Sequence, residues 1–151
     1  MKGLKDGDDR NWEMCPGGTA IHCEQGAWTG VGGRWGGPAS RETELLRPVN
    51  TVQQIHCVML SGGSAFGLDA AGGVQRYLEE RDIGFDVVVT KVPLVSPSCL
   101  FDRGAGSKEV RPTPEMAHQA RENAGPSAPA AGHVGAATGG FNQPFPWRGP
   151  S

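Results

Sequence analysis

Residues 60–80 read LSGGSAFGLDAAGGVQRYLEE. An apolar run ends at Leu60, two glycines and a serine follow, and a helix-like pattern then begins. Ala65, Leu68, Ala71 and Leu78, with Val74 and Tyr77 between them, recur at spacings of three and four, as one buried helix face requires. Glu79 and Glu80 fall on the side left to water. Gly72 and Gly73 each cost about 1 kcal/mol relative to alanine inside a helix, so the pattern predicts close approach to another element there. Upstream, residues 55–60, IHCVML, form a short apolar run with β-branched members and read as a buried strand. The stretch is thus strand, corner, helix.

Three chemistries use such a corner. A phosphate loop needs GxxxxGK followed by Ser or Thr; Gly62 and Gly67 have the spacing, but Leu68 and Asp69 stand where the lysine and hydroxyl belong. A nucleophile elbow needs GxSxG, and Phe66 occupies the final glycine position, with no histidine placed locally to serve Ser64. The remaining reading is structural: Ser64 caps the helix through its hydroxyl, Gly62 and Gly63 permit positive φ, and Asp69 bonds the corner backbone. A small anion at the Ser64 helix start is also physically allowed, because helix N-termini attract negative charge. Asp102 is expected to bond a neighbouring turn.

Outward from this stretch, residues 20–31, AIHCEQGAWTGV, read as two short β pieces around Gly26, followed by a glycine-rich turn into RETELL. Residues 85–95, FDVVVTKVPLV, read as an extended segment in which Pro93 sets an edge or bend. A second helix is expected at PEMAHQAREN, with Thr113 as N-cap, Pro114 at the first helical position and Gly125-Pro126 as the stop. A Pro/Ala linker, PSAPAA, leads to GHVGAATGG. The final FNQPFPWRGPS has aromatic residues and three prolines without period, so residues 141–151 read as a divergent tail to a unit spanning 1–140.

The 151 residues fit one domain with a sizeable core. Fourteen basic against sixteen acidic residues leave no basic excess, which argues against a nucleic-acid partner. The 24 glycines and 12 prolines lie well above average usage, so turns are frequent and helices short. The N-terminus has no apolar core of signal-peptide length and no run of 18 apolar residues occurs, so a cytoplasmic chain without a membrane partner is expected. Cys15, Cys23, Cys57 and Cys99 show no CxxC pair, and His22, His56 and His118 have no paired ligand spacing, so thiols are structural and no metal or cofactor is called for.

The run SGGSAFGLDAAGGVQRYLEERDIGF, with RETELL before it and VTKVPLVSPSCLFD and GHVGAATGG after it, resembles the L-aminopeptidase/D-esterase family, which includes β-peptidyl aminopeptidases and nylon-oligomer hydrolases. The resemblance extends from about Gly17 to Gly140. It implies an α/β fold of αββα-sandwich type, here incomplete, and a hydrolase made as a precursor that cuts itself into an α-part and a β-part. The new first residue of the β-part, Ser or Thr, is the nucleophile, and its own amine, with a pKa near 8, can accept the hydroxyl proton.

The resemblance therefore places no catalytic nucleophile in this chain and implies that it is inactive alone. It assigns the substrate or oxyanion loop to His133, Gly135 and Phe101, and the structural corner to Gly62, Gly63, Ser64 and Asp69. Three positions depart from the pattern: His133 stands for the usual asparagine, Phe101 for a tyrosine found in some members, and Gly72 for an acidic residue. Thr51 and Thr138 read as structural hydroxyls, and Lys91 either orients substrate or lies along a strand edge. Expected partners are a peptide or amide substrate, a β-part from the same precursor or a separate chain, and further copies in a homo-oligomer. The alternative is a non-catalytic remnant or interaction subunit pairing with a separate β-part. Without the β-part, exposed apolar faces would make the chain poorly soluble.

Overall fold

The computed structural model describes residues 4–9, 17–33, 37–102, 104, 109–122, 132 and 134–139. Strands β1 (Leu4–Asp9), β2 (Gly18–Trp28) and β3 (Gln54–Ser61) are followed by β4 (Phe85–Asp86), β5 (Lys91–Val92) and β6 (Val95–Cys99). Helix α1 spans Ala71–Glu79 and α2 spans Pro114–Glu122. Four strands make one sheet in the order β1-β2-β3-β6, antiparallel except for the parallel β3–β6 pair, while β4 and β5 form a separate hairpin. The architecture is mixed α/β.

Strand alternation sorts β2 and β3 into two faces. Ala20, His22, Cys57 and Met59 are buried on one, and their cluster continues through Val95 into Ala71, Val74, Tyr77 and Leu78 of α1 and Ala117 of α2. Both helices therefore cover the same side. Arg121, also buried, fastens α2 to β2 by pairing with Glu24 and to α1 by lying over the Tyr77 ring, its guanidinium carbon 4.5 Å from the centroid. On the other side, Ile21, Val58 and Leu60 remain partly exposed.

The expected strand at residues 55–60 lies within β3, and the second helix begins as anticipated: the Met116 N–H donates to Thr113 Oγ1 at 3.3 Å, with Pro114 leading the helix. Gly73 has the close neighbour expected of it, since a Cβ there would stand 1.7 Å from the Pro114 carbonyl oxygen of α2. Gly72 has open space instead.

Other expectations are corrected. The two β pieces around Gly26 belong to one strand, β2, whose pairing with β3 shifts register between His22 and Ala27, with Gly26 at φ 77°. The extended segment at 85–95 breaks into the β4–β5 hairpin and the start of β6. Asp86 holds that turn by accepting the Val88 N–H at 2.7 Å, while Val88 itself takes φ 75°. The helix after the corner begins as a 3-10 helix, Ser64–Ala70, and becomes α-helical only at Ala71. Tight contact is the reason: a Cβ on Gly67 would lie 2.0 Å from Gly62 O, and Ser61 Oγ donates to Gly67 O at 2.9 Å, so the chain folds back on its own strand end. The PSAPAA linker and the 141–151 tail lie outside the described residues. Among the described residues, no helix is long and apolar enough to cross a membrane.

Candidate functional site

The corner's backbone donors are all used internally. Gly62 N–H donates to Gly17 O at 3.0 Å, Gly63 N–H to Asp102 Oδ1 at 2.7 Å, and Ser64 N–H to Leu100 O at 2.9 Å. A phosphate cradle needs such donors free. Here none of the three is, and the carboxylate of Asp102 already stands where an anion would approach. The same contacts correct the expected cap: Ser64 makes no capping bond, and Gly63 and Ser64 both adopt the left-handed region, at φ 83° and 57°. Gly62 is not among the positive-φ glycines; its carbonyl oxygen is what the bare Cα of Gly67 packs against. Asp69 is exposed, so the corner is bonded by Asp102, 39 residues away, and not by Asp69.

Three remote segments meet here. The start of β2 lies against the glycine loop, where a Cβ on Gly17 would stand 2.0 Å from Gly135 O and 2.8 Å from Thr138 Oγ1. Ala136 N–H donates to Thr19 Oγ1 at 3.0 Å, and Thr138 Oγ1 donates to Gly135 O at 2.7 Å. Gly135 sits at φ 54°. Thr19 belongs to the same alternating set as Ile21, so the loop seats on the side of the sheet that the helices leave uncovered. Corner, Leu100–Asp102 turn and glycine loop thus converge where parallel β3 and β6 end, the position at which open α/β sheets present ligand sites.

At those strand ends Ser61 Oγ and Cys99 Sγ are 3.2 Å apart. Burial is the main influence pushing the Cys99 thiol up, with the Asp102 charge adding to it and the Ser61 hydrogen bond opposing. Cys23 is likewise raised by burial, and Cys57 is raised strongly, chiefly by burial. Such thiols are poor nucleophiles. Cys23, Cys57 and Cys99 are free, and among the described residues no three His, Cys, Asp or Glu side chains converge on a metal position. A cleft of about 780 Å³ runs from these strand ends across the bare side, lined in part by Val58, Ser96, Ser98, Leu46 and Ser40.

The candidates from the sequence divide sharply. Gly62, Gly63, Ser64 and Gly135 come together at this end of the sheet. Phe101 adjoins Asp102 and is 58% exposed, a surface position with no hydroxyl to offer. His133 and Cys15 lie outside the described residues. Lys91 is bound to Asp82 at 2.9 Å, which ties it to the hairpin, and exposed Thr51 lines a shallow cavity with Glu42, Thr43, Glu44, Leu45 and Asn50. Sequence reasoning missed the role of Gly17. It gave Asp102 a bond to a neighbouring turn; the turn it holds is the residue 62–64 corner, and nothing local says which backbone the aspartate of LFD meets.

Comparison with known proteins bears on family and fold. The model of peptidase family S58 matches residues 2–145. An uncharacterised aminopeptidase of Mycobacterium leprae is 39% identical over 128 residues, covering 80% of this chain and 35% of that protein. A 6-aminohexanoate-oligomer endohydrolase of Kocuria sp. is 30% identical over 134 residues, 89% of this chain and 35% of its own length. Among solved structures, a Pyrococcus horikoshii protein superposes with a TM-score of 0.69 at 18% identity, covering 91% of this chain and 43% of that one. A Burkholderia sp. beta-aminopeptidase gives 0.64 at 16%, with coverage of 92% and 41%. The chain thus spans about a third of the length of these curated relatives. A family model matched over residues 2–145, nearly the whole sequence, establishes that the chain belongs to peptidase family S58.

Proposed function

We propose that this chain forms the α-like part of a hydrolase that removes N-terminal residues from peptides or amides, with the nucleophilic Ser or Thr supplied by a β-part that self-cleavage exposes. The observation that carries this reading is the convergence of Gly17, the residue 62–64 corner, Asp102 and the Gly135 loop beside an uncovered sheet face. Family membership makes the chemistry a hydrolase's, and the relatives' names supply the aminopeptidase and oligomer-hydrolase classes.

The described hydroxyls at this end are poorly placed to attack. Ser61 donates to Gly67 O and Thr138 to Gly135 O, while the Ser64 hydroxyl makes no hydrogen bond with a base among the described residues. An unassisted hydroxyl is a weak nucleophile, whereas an N-terminal Ser or Thr carries its base in its own amine. No cofactor enters this scheme. The partly buried Ile21, Val58 and Leu60 then form the face against which a second sheet packs, completing an αββα sandwich. Developing negative charge would be met at the Gly135 loop, by donors other than the Val134, Ala136, Ala137 and Thr138 N–H groups, which are used internally. Assembly into homo-oligomers, in the cytoplasm, belongs to the same proposal.

Intact-mass spectrometry of the product expressed from its native locus, paired with an aminoacyl p-nitroanilide assay, tests it. Two fragments, the second beginning with Ser or Thr, and activity only after cleavage are the expected result. Hydrolysis by the uncleaved 151-residue chain would overturn the nucleophile assignment. A single product of that length without activity would favour a non-catalytic subunit.

A further inference from the structure

Asp102 is only half explained by its hold on the corner. Oδ1 accepts the Gly63 N–H at 2.7 Å, but Oδ2 is buried and has no hydrogen-bond partner. The residue is 4% exposed, and no cation among the described residues pairs with it. A buried carboxylate oxygen without a donor carries the full cost of its lost hydration. Its charge also reaches the strand ends, where it adds to burial in raising the Cys99 thiol.

We infer that Asp102 is a specificity-determining residue, its second carboxylate oxygen accepting a primary ammonium group of a ligand bound at this end of the sheet. The chemistry narrows the choice. A divalent cation needs several oxygen ligands, and among the described residues no group of three metal-ligating side chains exists. An anion is repelled. A neutral hydroxyl would satisfy the lone pair but leave the charge, whereas an ammonium supplies both donors and the opposite charge. Asp102 lies beside the convergent segments and follows Leu100 and Phe101, which are 46% and 58% exposed; its Oδ2 is buried in this structure and is uncovered when the ligand enters beneath that turn. Resting on the function proposed above, the ligand is the free amino end of the peptide or amide, and Asp102 discriminates it from blocked substrates.

The test needs no turnover. In amide NMR of the full chain, the Gly63 N–H reports directly on Asp102, and glycinamide is titrated against acetamide, which lacks the amine. The expected result is a saturable Gly63 shift with glycinamide only, weakened about tenfold or more in Asp102→Asn, which keeps an acceptor for Gly63 but loses the charge. Equal responses to the two amides in the wild-type chain, or no saturable shift, overturn the inference whether or not the variant folds. Unweakened binding by folded Asp102→Asn does the same. Amine binding by a chain whose native-locus product never splits and never hydrolyses would leave this inference standing and sink the reading of the function; hydrolysis by the cleaved two-part enzyme without amine selectivity would do the reverse.

Discussion

Along β2 and β3, chemically similar residues lie on opposite faces of one sheet. Ala20, Cys57 and Met59 are at most 1% exposed, whereas Ile21, Val58 and Leu60, one step along the same strands, are partly open. Apolar character does not separate the two sets; what covers them does. The first set meets α1 and α2. The second meets a glycine loop at one end and a cleft along its length. The covered face is a finished core, and the uncovered one is the surface on which the proposed chemistry is built.

This contrast can be broken first at the helix pair. Gly73→Ala would push a Cβ to 1.7 Å from Pro114 O, forcing α1 and α2 apart, and should cost about 3 kcal/mol or more in urea unfolding. Gly72→Ala, with nothing within 4 Å, should instead gain about 1 kcal/mol from helix propensity. Like responses at both positions would show that close approach does not govern this face. Truncation within the sheet sharpens the same point: Met59→Ala should lose about 2–5 kcal/mol. Its bare-face neighbour Val58→Ala should lose about 1 kcal/mol or less. Equal losses would mean that the second face is covered in solution.

The smallest effect concerns pH. His56 is buried, its Nδ1 accepts the Leu94 N–H at 3.2 Å, and burial lowers its pKa from the ordinary 6.5. The neutral ring is thus the form that fits, and the unfolded chain takes up the proton first. Its contribution is present above pH 6.5 and is lost as pH falls through the lowered native value. Thermal melts at pH 7.5 and 5.5 should show a drop that His56→Asn, which keeps an acceptor but cannot titrate there, reduces. An unchanged drop in that variant would assign the pH dependence to other groups.

Local signals were the legible ones. The apolar run of β3 and the Thr113-Pro114 start of α2 act over a few residues, so composition and spacing carried them. The glycine corner was recognised as a corner, but the bond to its backbone was assigned to Asp69, whereas Asp102 makes it to the Gly63 N–H from 39 residues away. Residues 85–95 have strand composition throughout, yet the chain reverses between β4 and β5, where Asp86 supplies a turn bond that hydrophobic patterning does not register.

By itself, then, the sequence determined the strand–corner–helix order, the second helix start and, through the quoted glycine motifs, the family. Only the tertiary structure decided that Gly17, Asp102 and Gly135 share one end of the sheet, and that Gly73 touches another helix while Gly72 does not. Periodicity reports which residues share an element's face, because neighbours along the chain hold them together. Contacts between Gly63 and Asp102, or Gly17 and Gly135, depend on strand pairing and crossover, which place distant backbone groups in contact without leaving a mark on the local pattern.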